Sequence, residues 1–273
     1  MLIITSYLIK TAMQTALDIS WIQLSLFSLV LLVPLYINHR YQLELMKDMV
    51  TATIRMAVQL VLVGIYLEFV FQTNNLLLNL LWLSVMVVIG SNAIITKAKL
   101  PVRLLFLPVL TGLLIGLTPL LFILTFAIIQ PTPLYSAQYI IPLSGMLLGN
   151  SLSGNIVALQ NLYDAFEQRK SEYEAAISLG ASPQYASIPF VRVAMQKSLA
   201  PILASMATTG VVTLPGMMTG QILGGTSPMI AIKYQMIILI AIFVMMSISI
   251  TITLQLSLKK TLTKEGRVRV KFL

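Results

Sequence analysis

Apolar stretches long enough to cross a bilayer constrain this chain more than any other feature. A membrane helix needs about 20 consecutive, mostly apolar residues, and the sequence offers about seven such runs. They cover roughly Ile19 to Ile37, Ile54 to Phe71, Leu76 to Thr96, Leu104 to Ile129, Gln138 to Asn161, Phe190 to Leu214 and Met229 to Leu258. Of 273 residues, 58% are hydrophobic and 10% charged. A water-soluble domain of that size cannot hide so much apolar surface, whereas a bilayer acts as its solvent. The fold class that follows is all-α, a polytopic integral membrane protein. The chain 1–273 reads as a single transmembrane domain without repeats or low-complexity linkers.

The connectors sort by charge. Basic residues follow the first run (His39, Arg40, Lys47, Arg55), the third (Lys97, Lys99, Arg103) and the fifth (Arg169, Lys170, then Arg192 and Lys197). More follow the seventh: Lys259, Lys260, Lys264, Arg267, Arg269 and Lys271. The connectors 72–75, 130–137 and 215–228 are nearly bare. Basic loops stay on the cytoplasmic side, so the pattern predicts an N-terminus outside and a C-terminus in the cytoplasm. Residues 1–18, interrupted by Lys10 and Gln14, read as an interfacial segment rather than a cleaved signal. The basic tail reads as an anchor on anionic membrane lipid.

Composition also excludes. The chain has no cysteine and one histidine, His39, so thiolate sites and histidine clusters within one chain are out. The net charge of +9 lies in short loops between apolar runs, which is an orientation signal and not a nucleic-acid surface. No Gly-x-x-x-x-Gly-Lys-Ser/Thr is present to cradle phosphates, so the chain binds no nucleotide of its own by that route. A carrier driven by an ion gradient needs buried acids or bases, and Glu68, near the outer end of its run, is the one acid well inside. A membrane-embedded enzyme needs paired acids, a histidine cluster or an activated serine, and the acids here are scattered over loops.

One connector has punctuation of its own. In residues 164–186, Ser171 and Glu174 have the spacing of a capping box. Ala175, Ala176 and Leu179 favour helix, and Gly180 suits the left-handed position past a helix end. Ser182 and Pro183 then open a second helix. A solvated connector needs none of this; a rigid element that docks into a groove of another protein does, with Ala175 and Ala176 permitting close approach and Glu174 orienting it.

Within the runs, Gly145, Gly149 and Ser153 recur every four residues as a stripe for close helix packing. Ser151 and Asn155 share a helix face, with Asn150 beside it. Amides in hydrocarbon need partners, so these residues either glue helices or line a transport path. The stretch 214–225, with Pro215 and four glycines, breaks a helix near the outer face. Its Met217, Met218, Thr219 and Gln221 are either an ordinary turn or further contacts for a passing cation.

The sequence Glu174-Ala175-Ala176, three residues, then Gly180 resembles the coupling loop of ABC transporter permeases. The Ile-x-Leu-Pro that usually follows is reduced to Ile188-Pro189. With Leu214-Pro-Gly-Met-Met-Thr-Gly-Gln221, Tyr234-Gln235 and Arg55-Met-Ala-Val-Gln59-Leu, the chain is similar to the bacterial iron-export ABC permeases of the FetB type and to plant aluminium-tolerance permeases, over nearly its whole length. That resemblance implies a permease subunit, itself no enzyme, exporting iron or a related metal, bare or chelated, across the inner membrane of a bacterium. It implies two permease copies and two subunits of a separate ABC-type ATPase that bind ATP and Mg. It also gives residues 164–186 the role of coupling loop, with Glu174, Ala175, Ala176 and Gly180 meeting the ATPase.

Overall fold

The computed structural model describes residues 18–263 and 265–268; residues 1–17 of the segment read as interfacial and the tail residues Lys264, Arg269 and Lys271 lie outside them. The described residues are helical, with isolated β-bridges and no strands. In chain order the helices are α1 (Trp21–Tyr41, with a 3-10 turn at Leu29–Leu31), α2 (Met46–Thr73) and α3 (Leu76–Lys97). Then come α4 (Val102–Ile129, ending in π turns from Leu124), α5 (Ala137–Gln168), α6 (Lys170–Ser178), α7 (Pro183–Thr208), α8 (Gly216–Leu223) and α9 (Pro228–Thr261).

Local chemistry sets several of the helix starts. Ser20 and Gln23 form a reciprocal capping box before α1. The Asn75 side chain accepts a hydrogen bond from the Leu77 N–H at 2.8 Å at the start of α3. Ser182 accepts from the Tyr185 N–H at 3.3 Å, with Pro183 at the first position of α7.

Six helices are long and apolar enough to cross a membrane: α1, α2, α3, α4, α5 and α9. The run taken from the sequence as a sixth of seven crossings, Phe190 to Leu214, differs. It is α7, which starts seven residues earlier, carries Arg192 and Lys197, and stops at Thr208. Those two charges make it less apolar than the six.

The described chain divides into two compact units. In the first, residues 18–73 and 219–228, α1 and α2 expose most of their apolar side chains; Asn38 and Val70 are the buried residues of the two. Helices that are apolar all round and unburied belong in lipid. Asn38 organises the turn between them: its Oδ1 accepts from the Leu45 N–H at 3.0 Å and its carbonyl from the Leu43 N–H at 3.1 Å.

The second unit, residues 74–218 and 229–268, holds the core. Helix α5, of 32 residues, packs on α3, α4 and α7. Two side-chain staples fix its start: Asn74 Oδ1 accepts from the Ala137 N–H at 3.0 Å, and Asn79 Nδ2 donates to the Tyr135 carbonyl at 2.8 Å. Helix α9, of 34 residues, presents Ser249, Thr253, Ser257 and Thr261 as a fully buried stripe at four-residue spacing. Small residues let it close on its neighbours. A Cβ on Gly112 of α4 would lie 2.3 Å from Thr253 Oγ1 and 2.8 Å from the Ser249 carbonyl, and one on Gly154 of α5 would lie 2.5 Å from Met246 Cε. Helix association in lipid depends on such close packing.

The stripe expected from Gly145, Gly149 and Ser153 is a different feature. A Cβ on Gly149 would meet nothing within 4 Å, one on Gly145 only Met86 Cε at 3.6 Å, and Ser153 is exposed. The close approach on α5 is at Gly154, because that residue, and not the stripe, faces α9.

Candidate functional site

The loop 164–186 is the most elaborately built part of the second unit outside the spans. Helix α5 runs to Gln168, about two turns past the Asn161 end expected from hydropathy, because nothing in 162–168 breaks it. Arg169 (φ −112, ψ 33) makes a one-residue break, and α6 begins at Lys170. The capping box expected at Ser171 and Glu174 does not form. Ser171 already lies within the first turn, and a capping side chain needs non-helical backbone. Instead Arg169 grips Glu172 through two hydrogen bonds, Nε to Oε2 at 2.8 Å, and Lys170 sits 3.5 Å from Glu174.

The far end of α6 matches expectation. Gly180 has φ +91; its N–H donates to the Ile177 carbonyl at 2.9 Å, and the Ala181 N–H donates to the Ala176 carbonyl at 3.1 Å. These two bonds satisfy carbonyls the helix leaves open, and the left-handed turn suits a residue with no Cβ.

An aromatic clasp ties α6 to the neighbouring helices. Phe166 of α5 stacks on Phe190 of α7 with centroids 4.8 Å apart and an 8° interplanar angle. Tyr173 of α6 meets both edge-on, at 5.1 Å and 6.0 Å. The Arg169 guanidinium lies 5.0 Å over the Phe190 ring. Each aromatic pair adds about 1 kcal/mol beyond burial. Tyr173 is buried, its hydroxyl has no hydrogen-bond partner, and burial raises its phenol above the ordinary range. Nothing in the linear pattern signalled this clasp.

The two faces of α6 differ. Tyr173, Ala176 and Ile177 turn toward the core, while Glu174 and Ala175 face outward. Beside them Leu179 is 89% exposed and Tyr185 70% exposed, an apolar pair at the glycine corner that the sequence reading did not single out as contact residues. Of the alanine pair, Ala175 is therefore available to a partner and Ala176 is engaged inside.

The polar residues of α5 also separate. Ser151 and Asn155 are fully buried; Asn155 Nδ2 donates to the Ser151 carbonyl at 2.8 Å and to Ser249 Oγ of α9 at 3.0 Å. Asn150 is exposed and donates to the Met146 carbonyl at 2.9 Å. With Gly149 and Ser153 it makes a small, polar, uncovered face half-way along an apolar helix.

The break expected at 214–225 is displaced. The chain leaves α7 at Thr208 and turns through 209–213, where the Thr208 carbonyl accepts from the Val212 N–H at 3.0 Å. Residues Gly216–Leu223 then regain helix. Met218 is buried and Met217, Thr219 and Gln221 half-buried. Among the described residues no three His, Cys, Asp or Glu side chains gather as a metal site.

Six helices long and apolar enough to span a bilayer define a polytopic membrane protein. The sequence profile of UPF0014, described as an uncharacterised protein family, matches residues 21–262, and the chain belongs to that family. It is 32% identical to UPF0014 membrane protein YjkA of Bacillus subtilis, over 80% of this chain and 86% of the relative. It is 32% identical to the protein ALUMINUM SENSITIVE 3 of Arabidopsis thaliana, over 77% of this chain and 76% of the relative. It is 30% identical to the protein named probable iron export permease FetB of Escherichia coli, over 79% of this chain and 82% of the relative. No solved structure matches.

Proposed function

We propose that this chain is the membrane subunit of an ABC transporter, exporting iron or a related metal with ATP hydrolysed by a separate subunit. The observation that carries the reading is the outward face of α6 and its glycine corner. Glu174, Ala175, Leu179 and Tyr185 are exposed on an element that four aromatic and cationic contacts hold rigid. A rigid helix with an apolar tip suits a groove on a partner, because little conformational freedom is lost on docking. The relative named as an iron export permease supports the cargo.

On this reading the loop 164–186 faces the cytoplasm, the N-terminus lies outside, and the protein sits in the inner membrane of a bacterium. Helix α7 and the turn after it make the remaining crossing, its Arg192 and Lys197 lying toward the end joined to α6. ATP and Mg belong to the partner. Closure of the ATPase dimer on ATP displaces α6, and the clasp passes that displacement to α5 and α7.

Two permease copies bring their α5 helices to a shared path. An amide facing lipid is costly, so the face formed by Gly149, Asn150 and Ser153 borders that path, while Ser151 and Asn155 hold α5 to α9 behind it. Met217 and Met218 contribute at its outer end. Neutral oxygens and thioethers give the weak, transient sites that let an ion pass through.

The test is reconstitution. The chain co-expressed with its ATPase, purified through a tag on the permease and placed in liposomes loaded with ferrous or manganous ion, should carry the ATPase with it and move metal only with ATP and Mg. Metal movement that proceeds equally without ATPase, driven by an imposed ion gradient, would overturn the proposal.

A further inference from the structure

The end of α9 does not run free. Leu262 pairs with Val268 across an antiparallel bridge. Within the turn the Thr263 N–H donates to the Arg267 carbonyl at 3.0 Å, the Arg267 N–H to Thr263 Oγ1 at 3.0 Å, and the Gly266 N–H to the Thr263 carbonyl at 3.1 Å. Gly266 has φ +81, is buried, and lies against Ile177 of α6: a Cβ there would stand 3.2 Å from Ile177 Cγ1 and 3.3 Å from Cδ1. Leu262, Val268, Ala176, Ile177 and Ala181 all pack on the same apolar core. Just before the turn, Thr261 accepts a hydrogen bond from the Tyr163 hydroxyl of α5 at 3.2 Å and donates to the Ser257 carbonyl of α9 at 2.8 Å. The turn is thus pinned to α5 at its root and to the inner face of α6 at its tip.

We infer that the turn of residues 262–263 and 265–268 is a working part of the coupling element, bracing α6 from behind and carrying its displacement into α9, with Gly266 as a positioning residue. The inference rests on the permease reading above. It adds a link which that reading lacks: α6 drives α5 and α7 through the aromatic clasp, and α9 through Gly266 and Ile177. The two residue types are matched to the task. A glycine at φ +81 lets the turn tip close to contact distance, and a branched isoleucine offers a broad surface to it. A tail that served only as a lipid anchor would need neither the bridge nor the burial of Gly266.

The experiment compares wild type with Gly266→Val and Ile177→Ala. The first pushes the tip off α6; the second removes the contact surface and leaves the turn's own hydrogen bonds intact, so the question survives if Gly266→Val folds poorly. Hydrogen exchange is read at the α6 amides of the permease alone in nanodiscs. ATP hydrolysed per ion moved is read in liposomes with the ATPase. Both variants should speed exchange at α6 by about tenfold, as local opening becomes easier. They should also raise ATP consumed per ion several-fold while retaining the ATPase on purification. Unchanged α6 exchange in both variants, or faster exchange with an unchanged ATP-to-ion ratio, overturns the inference. A wild-type permease that retains no ATPase defeats the permease reading instead, and the exchange comparison still decides whether the turn braces α6.

Discussion

Two adjacent residues at the tip of the loop separate docking from folding. Leu179 is 89% exposed and touches little of its own chain. Leu179→Asp should leave the melting temperature unchanged, within about 0.5 kcal/mol for an exposed site. The ATPase recovered with the tagged permease should fall at least about tenfold, a loss of roughly 1.4 kcal/mol at an interface; equal recovery would remove Leu179 from the contact. Gly180 acts through backbone. A β-branched residue at φ +91 costs about 1–3 kcal/mol, and Gly180→Val should unwind the corner and uncouple hydrolysis from transport in the liposome assay. Tyr173 makes a third case. Its buried phenol keeps its proton above the ordinary value of about 10. The unfolded chain therefore releases that proton first, and stability should fall as pH rises past about 10. Tyr173→Phe leaves no partner orphaned, since the hydroxyl has none. Its melting temperature should match wild type at pH 8 and exceed it at pH 10.5.

Helix contacts were only partly legible in the sequence. The glycine corner and the Ser182-Pro183 start could be read because each is a local rule confined to a few neighbouring residues. The Ser171 cap was misplaced because capping depends on where the preceding helix stops, and α5 stops late. The clasp of Phe166, Tyr173 and Phe190 was invisible because it depends on three helices meeting. The same holds for close packing. Gly149 looked like an interface residue by spacing and is open, while Gly112 looked ordinary and is crowded. Gly112→Val should force α4 from α9 and cost about 3 kcal/mol or more in unfolding free energy. Gly149→Ala, with space around it, should change stability by less than about 0.5 kcal/mol. Denaturant unfolding in mild detergent compares the two directly. Equal effects would show that α4 and α9 are not held at this contact.

The charge pattern predicts the arrangement of the chain in the bilayer, and the absence of cysteine makes that prediction easy to test. Single cysteines at Glu174 and at Asn74, in intact cells, report which side each loop occupies. A membrane-impermeant maleimide should label position 74 and spare position 174 until the cells are opened. Labelling of position 174 from outside would reverse the proposed topology and leave α6 out of reach of a cytoplasmic ATPase. Composition and hydropathy revealed the membrane class at once, since 58% hydrophobic residues admit few other solvents. Their count of about seven runs is close to the six long apolar helices, and the difference is α7, which mixes two charges with an apolar half.

Helix α5 has one further mechanical consequence. From beyond Pro142 to Gln168 no proline interrupts it, a rod of about 40 Å at 1.5 Å per residue. Stiff rods amplify: pivoting by about 5° at the clasp sweeps the opposite tip through about 3 Å, roughly the width of a water molecule. On the permease reading, a nudge too small to rearrange the loop would thereby suffice to open or pinch the proposed passage at the far end of the helix.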